Sequence, residues 1–263
     1  MAQARTEEVK PLHWDATSQD YLQHRPGYPE DFFVLLQFLG IGLARQDILD
    51  LGSGTGALAI PFAKQGAQVT AVDLSEWQIE AGQRAARQQG VKITFKVAPA
   101  EATGLSDHTF DVITASMCWS YFDMKRMQAE VPRLLRSEGL LLVSSLIWIA
   151  AEDPIARQTD QLIARHNPAA GQAGRGADTE IIPAWSLARL RLKTYHHSKV
   201  DLPFTRVSWR GRIRASKWIG AALSPEQTEA FDREHEALLE RIAPAQFSIR
   251  HRIRIQVFEL KQS

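Results

Sequence analysis

Cysteine is nearly missing: Cys118 is the only one in 263 residues, which excludes an internal disulfide framework and any site built on several thiolates. Excess charge of either sign is missing as well. The chain carries 31 Lys and Arg against 30 Asp and Glu, so no global field draws it to nucleic acid or to an anionic membrane, and neither is an expected partner. A bilayer span takes roughly 20 apolar residues, and the most apolar stretch, Leu140 to Ala151, falls short of that and contains two serines. The opening decapeptide MAQARTEEVK has no apolar centre, so a secretory signal is not expected. His196-His197 has no third ligand at metal spacing, so no metal is expected either. A cytoplasmic monomer or homodimer is the expectation.

The remaining composition is that of a folded chain, with 44% apolar and 23% charged residues. From residue 47 a short apolar run, a turn and an amphipathic segment alternate. Strands are predicted at Asp47–Leu51, Gln68–Val72, Lys92–Val97, Phe110–Ala115 and Gly139–Ile147, and helices at Leu58–Lys64, Glu76–Gln89 and Lys125–Arg136. Ser75 with Gln78 three residues on reads as a capping box for the second helix, and Gly90 as its stop. Strands alternating with helices of this length imply a doubly wound, mostly parallel α/β sheet with helices on both faces. After residue 150 the rhythm changes. Helices are predicted near 153–166, 209–222 and 225–242, with a Gly/Ala/Pro-rich loop from Asn167 to Thr179. In the last strand, Ser248–Leu260, Ile249, His251, Ile253, Ile255 and Val257 alternate with Arg250, Arg252, Arg254 and Gln256. One face buried and one wet fits an antiparallel strand near the sheet edge. The expected organisation is a single domain over 1–263. It comprises an N-terminal arm and first helix (1–43), a cofactor-binding core (44–150), a cap and strand-six region (151–246) and a last strand (247–263).

Between the first strand and its helix lie Gly52, Gly54 and Gly56. Glycines there let the backbone turn sharply and approach a ligand with no Cβ in the way. Asp73 follows the second strand, 21 positions after Gly52, where a carboxylate can accept from both ribose hydroxyls. Loop and acid together fit an adenosine-containing cofactor. Gly52, Gly54 and Ala57 can also be read as the GxGxxA of a nicotinamide dinucleotide site. Against that stands Asp50, whose carboxylate would repel a pyrophosphate but favours a sulfonium or an amino group. A second mononucleotide-binding half is also missing.

The segment ILDLGSGTGALAIPFAKQGAQVTAVDLSEWQIEAGQR resembles the first two motifs of class I S-adenosylmethionine-dependent methyltransferases, in particular their small-molecule type 11 group. Ala98-Pro-Ala-Glu101, Phe110-Asp-Val-Ile-Thr-Ala-Ser116 and Arg133-Leu-Leu-Arg-Ser-Glu-Gly139 resemble the family's later core stretches. The resemblance covers about residues 14–150 and implies a seven-stranded sheet with an antiparallel last strand and a helical cap inserted after strand five. It implies S-adenosyl-L-methionine as cofactor and methyl transfer to a small-molecule acceptor. Asp50, Gly52 and Gly54 would then border the methionine portion and Asp73 the ribose. Leu74 would pack on the adenine, with Ala100 and Glu101 at its edge, and Ser116 would offer its backbone to the methionine amine. Pro99 departs from the acidic residue many relatives carry there. Two other functions use the same loop: a non-catalytic S-adenosylmethionine-binding protein and a nicotinamide-dependent oxidoreductase.

Tyr21-x-x-x-Arg25-Pro-x-Tyr28-Pro29 resembles the arm that closes over the cofactor in trans-aconitate-type methyltransferases. Tyr21 and Arg25 share a face if the arm is helical, and a guanidinium can clamp the cofactor's carboxylate with two parallel bonds. Both are cofactor candidates. Met117, Trp119, Tyr121 and Phe122 follow strand four, where the family's acceptor cavity begins, and Trp119 and Tyr121 are acceptor candidates. A general base is needed only if the acceptor is protonated, and the candidates for it are His13, His24 and Tyr121. Arg210, Arg214 and Lys217 fall at helical spacing and would share one face. Arg210 and Arg214 are candidates for holding a carboxylate-bearing acceptor. The competing reading is a solvated helix face paired with Glu226, Glu229 and Glu234.

Overall fold

The computed structural model describes residues 20, 23–24, 26–172 and 189–261. Helix α1 (Glu30–Phe38) leads into β1 (Asp47–Leu51), α2 (Ala59–Lys64), β2 (Gln68–Asp73), α3 (Glu76–Gln88), β3 (Ile93–Val97), β4 (Phe110–Ser116), α4 (Met124–Leu134) and β5 (Leu135–Trp148). The cap follows as α5 (Pro154–His166) and α6 (Pro168–Gln172). Then come β6 (Leu190–Thr205), α7 (Arg206–Arg214), α8 (Pro225–Ile242) and β7 (Gln246–Leu260). The seven strands stand in the order β3-β2-β1-β4-β5-β7-β6. The first five are parallel, and β7 runs antiparallel between β5 and β6. One buried cluster joins that sheet to α1, α2 and the cap through Phe32, Leu36, Phe62, Leu162, Trp209 and Phe231. The other joins the opposite face to α4 through Met127, Val131 and Leu134. Each face therefore carries its own apolar layer, as a parallel sheet requires.

Local chemistry sets the element starts. The Ser75 hydroxyl accepts from the Gln78 backbone N–H at 3.2 Å to begin α3. Asp153 accepts from Ala156 N–H at 2.9 Å, with Pro154 at the first helical position of α5. Thr205 and Ser208 form a reciprocal capping box that starts α7 at 206 and not at 209. That helix ends at Arg214, ahead of the 222 expected from the sequence. Strand β6 has no counterpart among the strands read from the sequence. Its side chains are mostly exposed and it contains Pro203, paired opposite Ser248, which suits the edge position where a missing N–H is tolerated. Because β6 occupies the edge, β7 lies one strand further in. Its polar side is wet only in part: Arg254 and Gln256 are 7% and 5% exposed.

Candidate functional site

The glycine loop and the acid that follows β2 meet at the carboxyl edge of the sheet. Gly52 and Gly54 adopt φ values of 60° and 54°, the left-handed region that costs glycine nothing. A Cβ on Gly52 would lie 2.8 Å from Cys118 Sγ, and that thiol donates to the Leu51 carbonyl at 3.1 Å. Cys118 thus buttresses the loop from below. Gly54 N–H donates to Asp73 Oδ2 at 2.8 Å and Ser75 N–H to Asp73 Oδ1 at 3.0 Å. The carboxylate is thereby fixed in orientation while keeping lone pairs for further donors. Burial raises its pKa, and the two backbone donors partly offset that.

Asp50 lies one strand over and is 2% exposed. Thr114 Oγ1 donates to its Oδ1 at 2.6 Å. Desolvation dominates and pushes its carboxyl up to about 7, with the Thr114 hydrogen bond opposing. A cation beside this carboxylate would relieve a cost the protein carries alone.

Leu74, directly after Asp73, is 73% exposed, and Val97 at the end of β3 is 48% exposed, while Ala100 is buried. The two exposed apolar side chains stand at the ends of β2 and β3, on the carboxyl edge of the sheet. Glu101 Oε1 accepts from Asp123 N–H at 2.8 Å, so this carboxylate helps fix the turn into α4. At the end of β4, Tyr28 Oη lies 2.8 Å from Ser116 Oγ and donates to Ser144 Oγ at 3.3 Å. Its ring stacks on Phe32 with centroids 3.9 Å apart. Met117 follows with φ 63° and packs its Sδ against the Leu146 N–H at 3.0 Å. A left-handed methionine is strained backbone at the lip of the site.

Beyond Met117, Trp119 stands edge-on to Phe122, with centroids 6.0 Å apart. Tyr121 is half exposed, and the Lys217 ammonium from the cap lies 5.1 Å above its ring and 4.5 Å above that of Trp218. Core and cap therefore meet over Tyr121. Tyr21 and Arg25 lie outside the described residues, as does His13. His24 is described: it is 3.8 Å from Asp20 and packs against Gly211, where an added Cβ would overlap its ring. Arg210 and Arg214 are placed on one helix face, yet carboxylates of this chain hold them. Arg214 clamps Asp20 at 2.7 and 2.8 Å and reaches Asp232 at 2.7 Å. Arg210 binds Asp232 at 2.6 and 3.1 Å and also Glu236. The partners are thus Asp20, Asp232 and Glu236, in place of the three glutamates weighed from the sequence. Tyr28, Thr114 and Ser144 also belong to this edge. The sequence showed Tyr28 only within the arm motif and gave no sign that it meets serines 88 and 116 positions away.

Residues 48–139 match the methyltransferase domain family. An uncharacterized methyltransferase of Mycobacterium tuberculosis is 31% identical over 147 residues, covering 55% of this chain and 56% of its own length. A ubiquinone biosynthesis O-methyltransferase of Bartonella quintana is 33% identical over 100 residues, 38% of this chain and 40% of its own. The chain thus spans about half the length, or less, of these curated relatives. Among solved structures, a protein of Anaeromyxobacter dehalogenans described as a type II methyltransferase superposes with a TM-score of 0.62 at 24% identity, over 89% of this chain and 96% of that one. A Haemonchus contortus phosphoethanolamine N-methyltransferase, solved with S-adenosylhomocysteine, superposes with a TM-score of 0.55 at 17% identity, over 95% of this chain and 57% of that one. None of these relatives is described as a trans-aconitate methyltransferase, so the narrower likeness rests on the arm motif alone. Over residues 48–139, then, this chain is similar to methyltransferase domains, and its fold is one that they share.

Proposed function

We propose that the protein transfers the methyl group of S-adenosyl-L-methionine to a small-molecule acceptor. The observation that carries this is the join between the Gly52–Gly56 loop and Asp73. A backbone N–H of the loop fixes the acid that would hold the ribose, and buried Asp50, on the neighbouring strand, would border the sulfonium and the amino group. In this reading Asp50, Gly52 and Gly54 border the methionine portion, Leu74, Ala100 and Glu101 the adenine, and Ser116 the amine, with Tyr21 and Arg25 reaching the carboxylate from the arm. The sulfonium is already activated, so the protein's task is alignment at about 3–3.5 Å and exclusion of water. The half-exposed Tyr121 and the neighbouring Trp119, facing Lys217 and Trp218 of the cap, form the wall best placed for the acceptor. Of the groups proposed to take a proton, His24 and Tyr121 both lie on described elements. A carboxylate-bearing acceptor draws less support from Arg210 and Arg214 than their spacing suggested, since Asp20, Asp232 and Glu236 occupy them. The test is a screen of small metabolites with labelled cofactor. Transfer of label to a hydroxyl-, amine- or carbon-centred acceptor is expected. Tight cofactor binding with no label moved to any member would favour a non-catalytic binding protein.

A further inference from the structure

The edge formed by β1, β4 and β5 carries a line of polar groups on one sheet face. Asp50 on β1 stands in register with Thr114 on β4, and Ser116 on β4 stands in register with Ser144 on β5. Thr114 and Ser116 are two residues apart on one strand and so point the same way. Tyr28 crowns the line from the segment before α1. Its hydroxyl donates to Ser144 at 3.3 Å and lies 2.8 Å from the Ser116 hydroxyl, a contact in which either oxygen can be the donor. Thr114 donates to Asp50. A buried carboxylate followed along one face by hydroxyl oxygens, each able to accept, suits a group rich in N–H donors and positive charge.

We propose that Tyr28 is a cofactor-contacting residue: held by Ser116 and Ser144, its hydroxyl accepts from the α-ammonium of the cofactor's amino-acid tail. This rests on the methyltransferase reading above and adds to it a residue outside the glycine loop and its following acid. An aromatic hydroxyl fixed by two serines selects ligands that carry the tail over nucleosides that lack it. The stacking on Phe32 needs only the ring, so Tyr28→Phe removes the hydroxyl and leaves the packing in place.

Calorimetry of the full chain tests this with two probes, S-adenosylhomocysteine and 5′-methylthioadenosine, which share the adenosine thioether and differ in the amino-acid tail. Tyr28→Phe is expected to weaken S-adenosylhomocysteine about tenfold, the scale of one hydrogen bond to a charged group, and to leave methylthioadenosine within about twofold. Ser116→Ala, which loosens the hydroxyl without touching the ring, is expected to shift the same ligand in the same direction by a smaller factor. Unchanged S-adenosylhomocysteine affinity in both variants overturns the inference, and so does an equal loss for both probes, which would mark a packing role. If the wild-type protein binds neither probe, the methyltransferase reading itself fails. A wild type that binds both probes equally well sinks only the assignment of Tyr28.

Discussion

Asp50 holds its place at a cost. Its carboxyl is raised to about 7 from an ordinary 3.8 by burial, so the folded chain binds a proton that the unfolded chain releases. The stabilising effect of that proton is complete below pH 4 and is lost as pH rises toward 7, by roughly 4 kcal/mol at most. Asp50→Asn keeps an oxygen for Thr114 and removes the charge. The ligand-free variant should therefore melt higher than wild type at pH 8, with the difference shrinking as pH falls and gone only below about pH 4. A variant that melts lower than wild type at pH 8 would show that the carboxylate is solvated or already paired. The glycine loop, Asp50 and Asp73 were legible in the sequence because their roles depend on spacing within one strand–loop–helix unit. Tyr28, Ser144 and the Cys118 buttress were not, because their contacts span from 67 to 116 positions and no local pattern encodes such a meeting.

The cap elements pack through polar groups as well as apolar ones. Trp209 Nε1 donates to Thr159 Oγ1 at 3.1 Å, and that hydroxyl lies 3.2 Å from His235 Nε2. His235 and His251 are fully buried, and desolvation lowers both from 6.5 to about 4. The unfolded chain takes up these protons first. Stability from the neutral histidines is therefore full above pH 6.5 and is lost as pH falls toward 4, on the order of 3 kcal/mol for each. Replacing His251 with Gln should flatten the melting temperature between pH 6.5 and 4, and an unchanged slope would contradict the assignment. Charge pairs in the cap differ by burial. Arg214→Gln leaves Asp20 and Asp232 short of a partner and should cost about 1–3 kcal/mol. Arg233→Gln breaks a pair whose members are 67% and 72% exposed and should cost less than about 0.5 kcal/mol. Denaturant unfolding of both variants checks the ranking, and equal costs would mean that the Asp20–Arg214 contact holds nothing. Helix α8 was read from the sequence at its observed bounds because Ser224, Pro225 and Gln227 mark its start. Strand β6 was read only as a region within 151–246, without bounds, because its mostly exposed residues give an edge strand little apolar signature.

At the scale of the whole molecule, the parallel half of the sheet builds the site and the antiparallel half carries the cap that faces it. No helix among the described residues is long and apolar enough to cross a membrane. The fold was legible because five strands and their crossovers obey one rhythm, whereas the order in which β7 inserts between β5 and β6 depends on pairing across 40 to 120 residues. The acceptor was not legible, since fold does not fix substrate. The central claim is that the glycine loop and Asp73 bind S-adenosylmethionine, and equilibrium binding of S-adenosylhomocysteine to wild type and to Asp73→Ala tests it most directly. The wild type should bind and Asp73→Ala should bind more weakly by roughly 1.5–3 kcal/mol. No binding by the wild type at millimolar ligand, or equal affinity in the two proteins, would contradict it.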